Sequence, residues 1–170
     1  MKTQFKKKSL LLIIALISLS VYAKNDNMIG IYNIYTNSSA INSFGYGISI
    51  ENKLTNYLGV NYGIALKNNI EPAANRLYKF YSIPVSLKLY TKIVNLSLGA
   101  NVDFSYKEIV NGNISFYHYD TFDFGTFGKI GKEIKIINKF YIEPEITLGY
   151  LGRISDYVYL GGGIIAKILF

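Results

Sequence analysis

Cysteine is absent from the chain, which excludes a disulfide framework, a thiolate metal site, a thiol nucleophile and a lipid-anchored cysteine. A secreted chain without disulfides must be held by its hydrogen-bond ladder and its packing. A closed barrel does this well, because closure removes the unpaired edges of an open sheet. Long apolar runs are also missing: after residue 23 nothing approaches the roughly 18 to 20 continuous apolar residues of a membrane-spanning helix. The formal charge of +7 is concentrated at the start, in Lys2, Lys6, Lys7 and Lys8. Beyond residue 23, fourteen basic side chains stand against eleven acidic ones, a net charge of +3. No basic stripe tracks a phosphate backbone, so nucleic acid is not an expected partner. No metal-ligand cluster, phosphate-binding loop or nucleophile elbow occurs, and neither a metal nor a cofactor is expected.

What is present begins with an address. Residues 1–8 are positively charged, residues 10–21 form a short apolar run broken by Ser18 and Ser20, and Val21-Tyr22-Ala23 places small or branched residues at the −3 and −1 positions. This is the pattern of a secretory signal peptide cleaved after Ala23. The alternative, an uncleaved anchor helix, is disfavoured because about a dozen apolar residues are short for a span. Residues 24–170 then form one domain, half of the whole chain's residues being hydrophobic.

Strict alternation of apolar and polar residues marks a strand with one face in an apolar medium, and it recurs from about residue 44 to the end. In 157–170, Val158, Leu160, Ile164, Ala166, Ile168 and Phe170 share one face, and Lys167 lies on the other. In 139–150, Glu143 and Glu145 share the polar face opposite Phe140, Ile142, Ile146 and Leu148; 94–105 alternates without exception and carries Asp103 on its polar face. The spans 81–90, 57–67 and 44–53 follow the same rule, with Lys88, Lys67 and Glu51 on their polar faces. Residues 121–136 give a less regular seventh strand, in which Lys132 falls on the apolar face unless a bulge intervenes, and 28–36 gives a first strand of undefined register. Short connections at 54–56, 91–93 and 137–138 alternate with longer ones at 37–43, 68–77, 107–120 and 151–156. This is the order an even-stranded barrel with both termini on one side requires. Pro84 and Pro144 remove ladder donors in mid-strand and are expected at local bulges.

Alternation alone fits both a lipocalin-like soluble barrel and a membrane barrel, so the polar face has to decide. It consists mostly of Gly, Ser and Asn, with Glu51, Asp103, Glu143 and Glu145 able to pair with Lys67, Lys88, Lys129 and Lys167. Both signs on one face of small residues describe a narrow lumen. Tyrosines near strand ends (Tyr57, Tyr78, Tyr90, Tyr106, Tyr117, Tyr119, Tyr150, Tyr157) suit the headgroup boundary, although tyrosine is also a good strand former. The expected fold is an all-β, closed, antiparallel up-and-down transmembrane barrel of about eight strands.

The carboxyl-terminal Gly162-Gly163-Ile164-Ile165-Ala166-Lys167-Ile168-Leu169-Phe170 ends in an aromatic with apolar residues at every second position. It resembles the signal, carried by Phe170, Ile168, Ala166 and Ile164, through which the barrel-assembly machinery recognises outer-membrane barrels. Tyr81-Ser82-Ile83-Pro84-Val85-Ser86-Leu87-Lys88, followed by a turn and Leu96-Ser97-Leu98-Gly99-Ala100, resembles a hairpin of the OmpX-like and PorT-like barrels. The resemblance implies a monomeric protein of a Gram-negative outer membrane, in contact with lipid and lipopolysaccharide. It also implies a non-enzymatic role in envelope structure or surface adhesion through the outer loops.

Two rivals remain. The lone histidine lies in Tyr117-His118-Tyr119-Asp120, and Ser115, His118 and Asp120 supply the residue types of an outer-leaflet lipid A deacylase, although ordinary loop polarity explains them equally well. A soluble periplasmic lipocalin-like carrier is the other. Glu143 and Glu145, about 6 to 7 Å apart by strand rise, are read as partners of lumen lysines rather than as paired catalytic acids.

Overall fold

The structure, a computed structural model, describes residues 27–38, 41–110, 113–116, 122–151 and 157–170. The signal-peptide expectation for residues 1–23 and the reading of His118 and Asp120 lie outside the described residues. Among the described residues there are ten strands: β1 (Asn27–Asn37), β2 (Asn42–Lys53), β3 (Leu58–Glu71), β4 (Arg76–Tyr90), β5 (Asn95–Val110), β6 (Asn113–Phe116), β7 (Phe122–Gly131), β8 (Ile134–Ile137), β9 (Phe140–Leu151) and β10 (Tyr157–Leu169). β1 to β5, β7, β9 and β10 pair antiparallel in sequence order, and β10 closes on β1. β8 continues β7 along β9 in unchanged register, and β6 extends from β5. The result is a closed eight-stave up-and-down barrel, with no free edge in its wall.

Short turns at one end fix the hairpins. Thr91 Oγ1 accepts the amide of Val94 and donates to its carbonyl, a local bond that lets a hydroxyl stand in for backbone. At the β8–β9 turn Lys139 takes the left-handed conformation, with φ 68°. Both termini of the wall lie at this end, where the Phe170 amide donates to the Asn27 carbonyl.

The distribution of polarity is inverted relative to a soluble protein. Outward residues are large and apolar, as in Ile31, Ile146, Val158, Leu160 and Leu98, the last 73 % exposed, whereas Glu143, Glu51, Lys88, Lys167 and Asp103 are buried, Glu143 wholly so. A lipocalin-like barrel needs the opposite arrangement. β1 acquires its register here: Met28, Gly30 and Tyr32 turn inward, and Ile29, Ile31 and Asn33 outward.

Two expectations are corrected. Neither proline sits in a bulge. β3–β4 pairing skips Gly63 and Ile64 beside Pro84 and resumes in the same register, and the β7–β8 stave breaks at residues 132–133 opposite Pro144, again without a shift. The Lys132 amide donates to the Pro144 carbonyl, so the donor Pro144 lacks would have met Lys132. The sheet therefore tolerates each proline as a missing rung. The shifts that do occur fall between Lys79 and Phe80 on β4 and between Lys135 and Ile137 on β8. Second, much of 68–77 and 107–120 is strand rather than loop. β3 to β5 run past the apolar band as a polar extension that β6 joins, with a single 3-10 turn (Pro72–Ala74) between β3 and β4.

Candidate functional site: the ion-paired lumen

Odd-numbered positions on β2, β7, β9 and β10 and even-numbered ones on β4 turn inward, so charges widely separated in sequence meet on the axis. Near the short-turn end, Lys88 Nζ lies 2.9 Å from Glu51 Oε2 and 2.5 Å from Glu143 Oε2. Lys167 Nζ lies 2.6 Å from Glu51 Oε2 and 3.0 Å from Glu133 Oε1, and also pairs with Glu143. Lys53 approaches Glu133 at 3.5 Å. Tyr90 OH donates to Glu51 Oε1 and Asn95 Nδ2 to Glu143 Oε1, occupying the remaining carboxylate oxygens. Three lysines thus balance three glutamates, and burial of ions is tolerable because each is both paired and hydrogen-bonded.

Higher in the lumen are two further pairs. Lys67 binds Asp103 at 2.9 Å, and Asp103 also accepts from Ser82 Oγ and Asn101 Nδ2. Lys129 binds Glu145 at 2.7 Å, its ammonium 5.9 Å from the Tyr32 ring and 5.5 Å from that of Phe127, within cation–π range. Between the layers remains a cavity of about 50 Å³, bordered by Asn101, Phe127, Lys129, Thr147 and Tyr159. That is room for a few waters and not for a solute.

The structure places all six of Glu51, Lys88, Asp103, Glu143, Glu145 and Lys167 in the lumen. It brings Glu51, Lys88, Glu143 and Lys167 into one cluster and sends Asp103 and Glu145 to the other two pairs. Glu143 and Glu145 therefore serve different lysines. Lys53 lies on the polar face that alternation assigns to 44–53, but it was not counted among the pairing charges; sequence reasoning missed Glu133, which stands in the 132–133 gap between β7 and β8 and keeps the odd, inward parity of that stave. Tyr90, expected at the headgroup boundary, turns inward to Glu51, because it shares the parity of Lys88. Tyr57 and Tyr150 are exposed, and Tyr106 stacks on the outward Tyr81 at 4.5 Å between ring centroids. Ile164, Ile168 and Phe170 are exposed on the outer wall, with Ala166 on the same face.

The carboxylates of Glu51, Glu133 and Glu143 lie within 4.8 Å of one another, the spacing of a cation site. The ammonium groups of Lys88 and Lys167 already stand among them and neutralise them, so the cluster acts as a lock between strands. Ser115 lies in β6, while His118 and Asp120 fall outside the described residues, so no catalytic arrangement is drawn from them.

The chain is similar in fold to several solved barrels. Neisserial surface protein A superposes with a TM-score of 0.58 at 17 % identity, over 87 % of this chain and 99 % of that one. Ail, the attachment invasion locus protein of Yersinia pestis, gives 0.53 at 16 % identity, over 85 % and 97 %. The outer membrane protein AlkL, solved in lipid bilayers, gives 0.52 at 10 % identity, over 88 % and 92 %. At these identities the likeness is one of fold. No protein-family model matches the sequence, and no curated protein does.

Proposed function

We propose that the protein is an integral barrel of a bacterial outer membrane, exported with cleavage after Ala23 and inserted by the barrel-assembly machinery through the Phe170 terminus. In this reading it is a non-enzymatic monomer in contact with outer-membrane lipid and lipopolysaccharide, serving envelope structure or surface adhesion. The observation that carries this is the inverted polarity: a wall of exposed Ile, Leu, Val and Phe around buried Glu–Lys pairs. Such a surface is stable only in hydrocarbon. Strands of 12 to 16 residues in β2 to β5 exceed the 9 to 11 or so that a tilted span needs. The surplus in β3 to β5 forms the polar extension, carrying Glu71, Arg76, Lys79, Lys107 and Glu108, at the end away from the termini. That extension is the surface offered to an external partner. A structural neighbour named for attachment and invasion fits this class of role.

Electrophoresis of membrane fractions, with and without boiling in SDS, tests the reading on protein expressed with its own leader. A band in the outer-membrane fraction that migrates differently unboiled is expected. A soluble band without a shift refutes it. The side chains that fill the lumen, leaving a cavity of about 50 Å³ among the described residues, further predict no large, stable conductance in planar bilayers, and such a conductance would overturn the non-porin assignment.

A further inference from the structure

The outer wall is not uniform. From β10 across β1, β2 and β3 to Tyr81 of β4 it carries an apolar groove of about 750 Å³, within the size range of small-molecule sites. Its lining includes the outward Ile48, Ile64 and Ile164, together with Tyr46, Gly47 and Ala65. Gly47 and Ala65 face each other in cross-strand register, so close that a Cβ on Gly47 would fall within 3 Å of Ala65. Beside the groove, near the middle of β1, stands Asn33, an exposed amide between Tyr46 and Ile164 in cross-strand register. Its Oδ1 accepts the Ile164 amide at 3.0 Å, and among the described residues its Nδ2 has no partner. An unpartnered donor facing hydrocarbon costs several kcal/mol in principle, and polar groups at such depth mark sites.

We infer that this groove holds one acyl chain of a membrane lipid, selected by a hydroxyl oxygen along the chain that accepts from Asn33 Nδ2. The inference rests on the membrane reading above, since only a lipid-facing wall meets such chains. The apolar walls supply affinity for hydrocarbon, and Asn33 supplies discrimination, because a plain chain leaves its donor unsatisfied.

The absence of tryptophan from the chain makes the test clean. Tyr46→Trp places one reporter at the groove and Phe124→Trp places one on the outward face of β7, both replacing exposed aromatics. Each folded barrel is reconstituted in phosphatidylcholine vesicles, and quenching by a mid-chain brominated fatty acid is followed against mole fraction, normalised to its maximum. Half-maximal quenching of the Tyr46→Trp protein is expected at a several-fold lower mole fraction than for Phe124→Trp. A hydroxystearic acid is expected to relieve it several-fold better than stearic acid, a preference that Asn33→Leu abolishes. Coincident curves for the two reporters, or a hydroxyl preference that survives Asn33→Leu, overturn the inference. Failure of both reporters to be quenched by fully brominated phospholipid instead refutes the membrane reading.

Discussion

Replacing Lys167 by methionine removes one cation from a balanced cluster while keeping an apolar chain of similar length. The ammonium lies 2.6 Å from Glu51 and 3.0 Å from Glu133, and also binds Glu143. At an effective dielectric constant of about 20, a unit pair at 3 Å attracts by roughly 5 to 6 kcal/mol before solvation is counted. Most of that offsets the cost of burying the charges, so what is lost is the penalty of the anion left behind, about 3 to 5 kcal/mol. With a urea dependence of about 2 kcal/mol per molar, the unfolding midpoint should fall by about 2 M. Unfolding of the reconstituted barrel can be followed by the unboiled gel band and by circular dichroism. Adding Glu133→Gln restores neutrality at the most accessible of the three carboxylates and should recover about half of the loss. A midpoint shift below about 0.5 M, or a double variant no more stable than the single one, would refute the claim that charge balance holds this end of the barrel.

Gly163→Val should abolish the heat-modifiable band, because a Cβ there meets the Asn33 carbonyl at bonding-scale distance; Gly162→Ala should keep it, its Cβ finding only the Glu145 carbonyl at 3.4 Å. Deleting Phe170 should reduce the outer-membrane fraction in cells several-fold while purified protein still refolds in detergent, and equal loss in both assays would assign the residue to stability instead. Pro144→Val restores the donor opposite Lys132 and should slow amide exchange along β8, with a gain of about 0.5 to 1.5 kcal/mol. Unchanged exchange at Ile134 would contradict the missing-rung account.

Parity carried most of the fold. In β2, β4, β5, β9 and β10 the two faces differ so sharply in polarity that inward and outward could be assigned residue by residue, and Glu51, Lys88, Asp103, Glu143, Glu145 and Lys167 were thereby placed on the lumen side. The same rule fails where both faces are polar. Asn68 and Asn69 on β3, or Lys107 and Glu108 on β5, alternate in no physical property, so the strands there read as loop although the ladder continues. Glu133 was hidden by its neighbour. Lys132 on the apolar face suggested a bulge, whereas the chain keeps its register through the gap opposite Pro144 and delivers Glu133 to Lys167. Tyr90 shows the opposite error, since proximity to a strand end says nothing about the face. Cross-barrel neighbours such as Lys88 and Glu143 are set by closure, which no local pattern encodes.

The lumen charges also explain how so small a barrel closes in one register. Lys88 on β4 pairs with Glu51 on β2 and Glu143 on β9, and Lys167 on β10 pairs with Glu51, ties between strands that are not adjacent, so the cluster forms only when β10 meets β1 as observed. A slip of one residue in any of these strands turns its charge outward, a cost for a lysine of about 2 to 4 kcal/mol at the bilayer midplane and about 0 to 1 near the interface, and leaves its buried partners unpaired inside, the larger penalty at this end of the barrel. The apolar outer face opposes the same slip, because Ile146, Leu148 or Ile164 would enter a lumen of ammonium and carboxylate groups. Both penalties fall on the same wrong states. The charged core therefore matters less for the energy of each pair than for the gap it opens between the native register and its neighbours, and that gap leaves the groove over Gly47 and the polar extension of β3 to β5 fixed on a rigid wall.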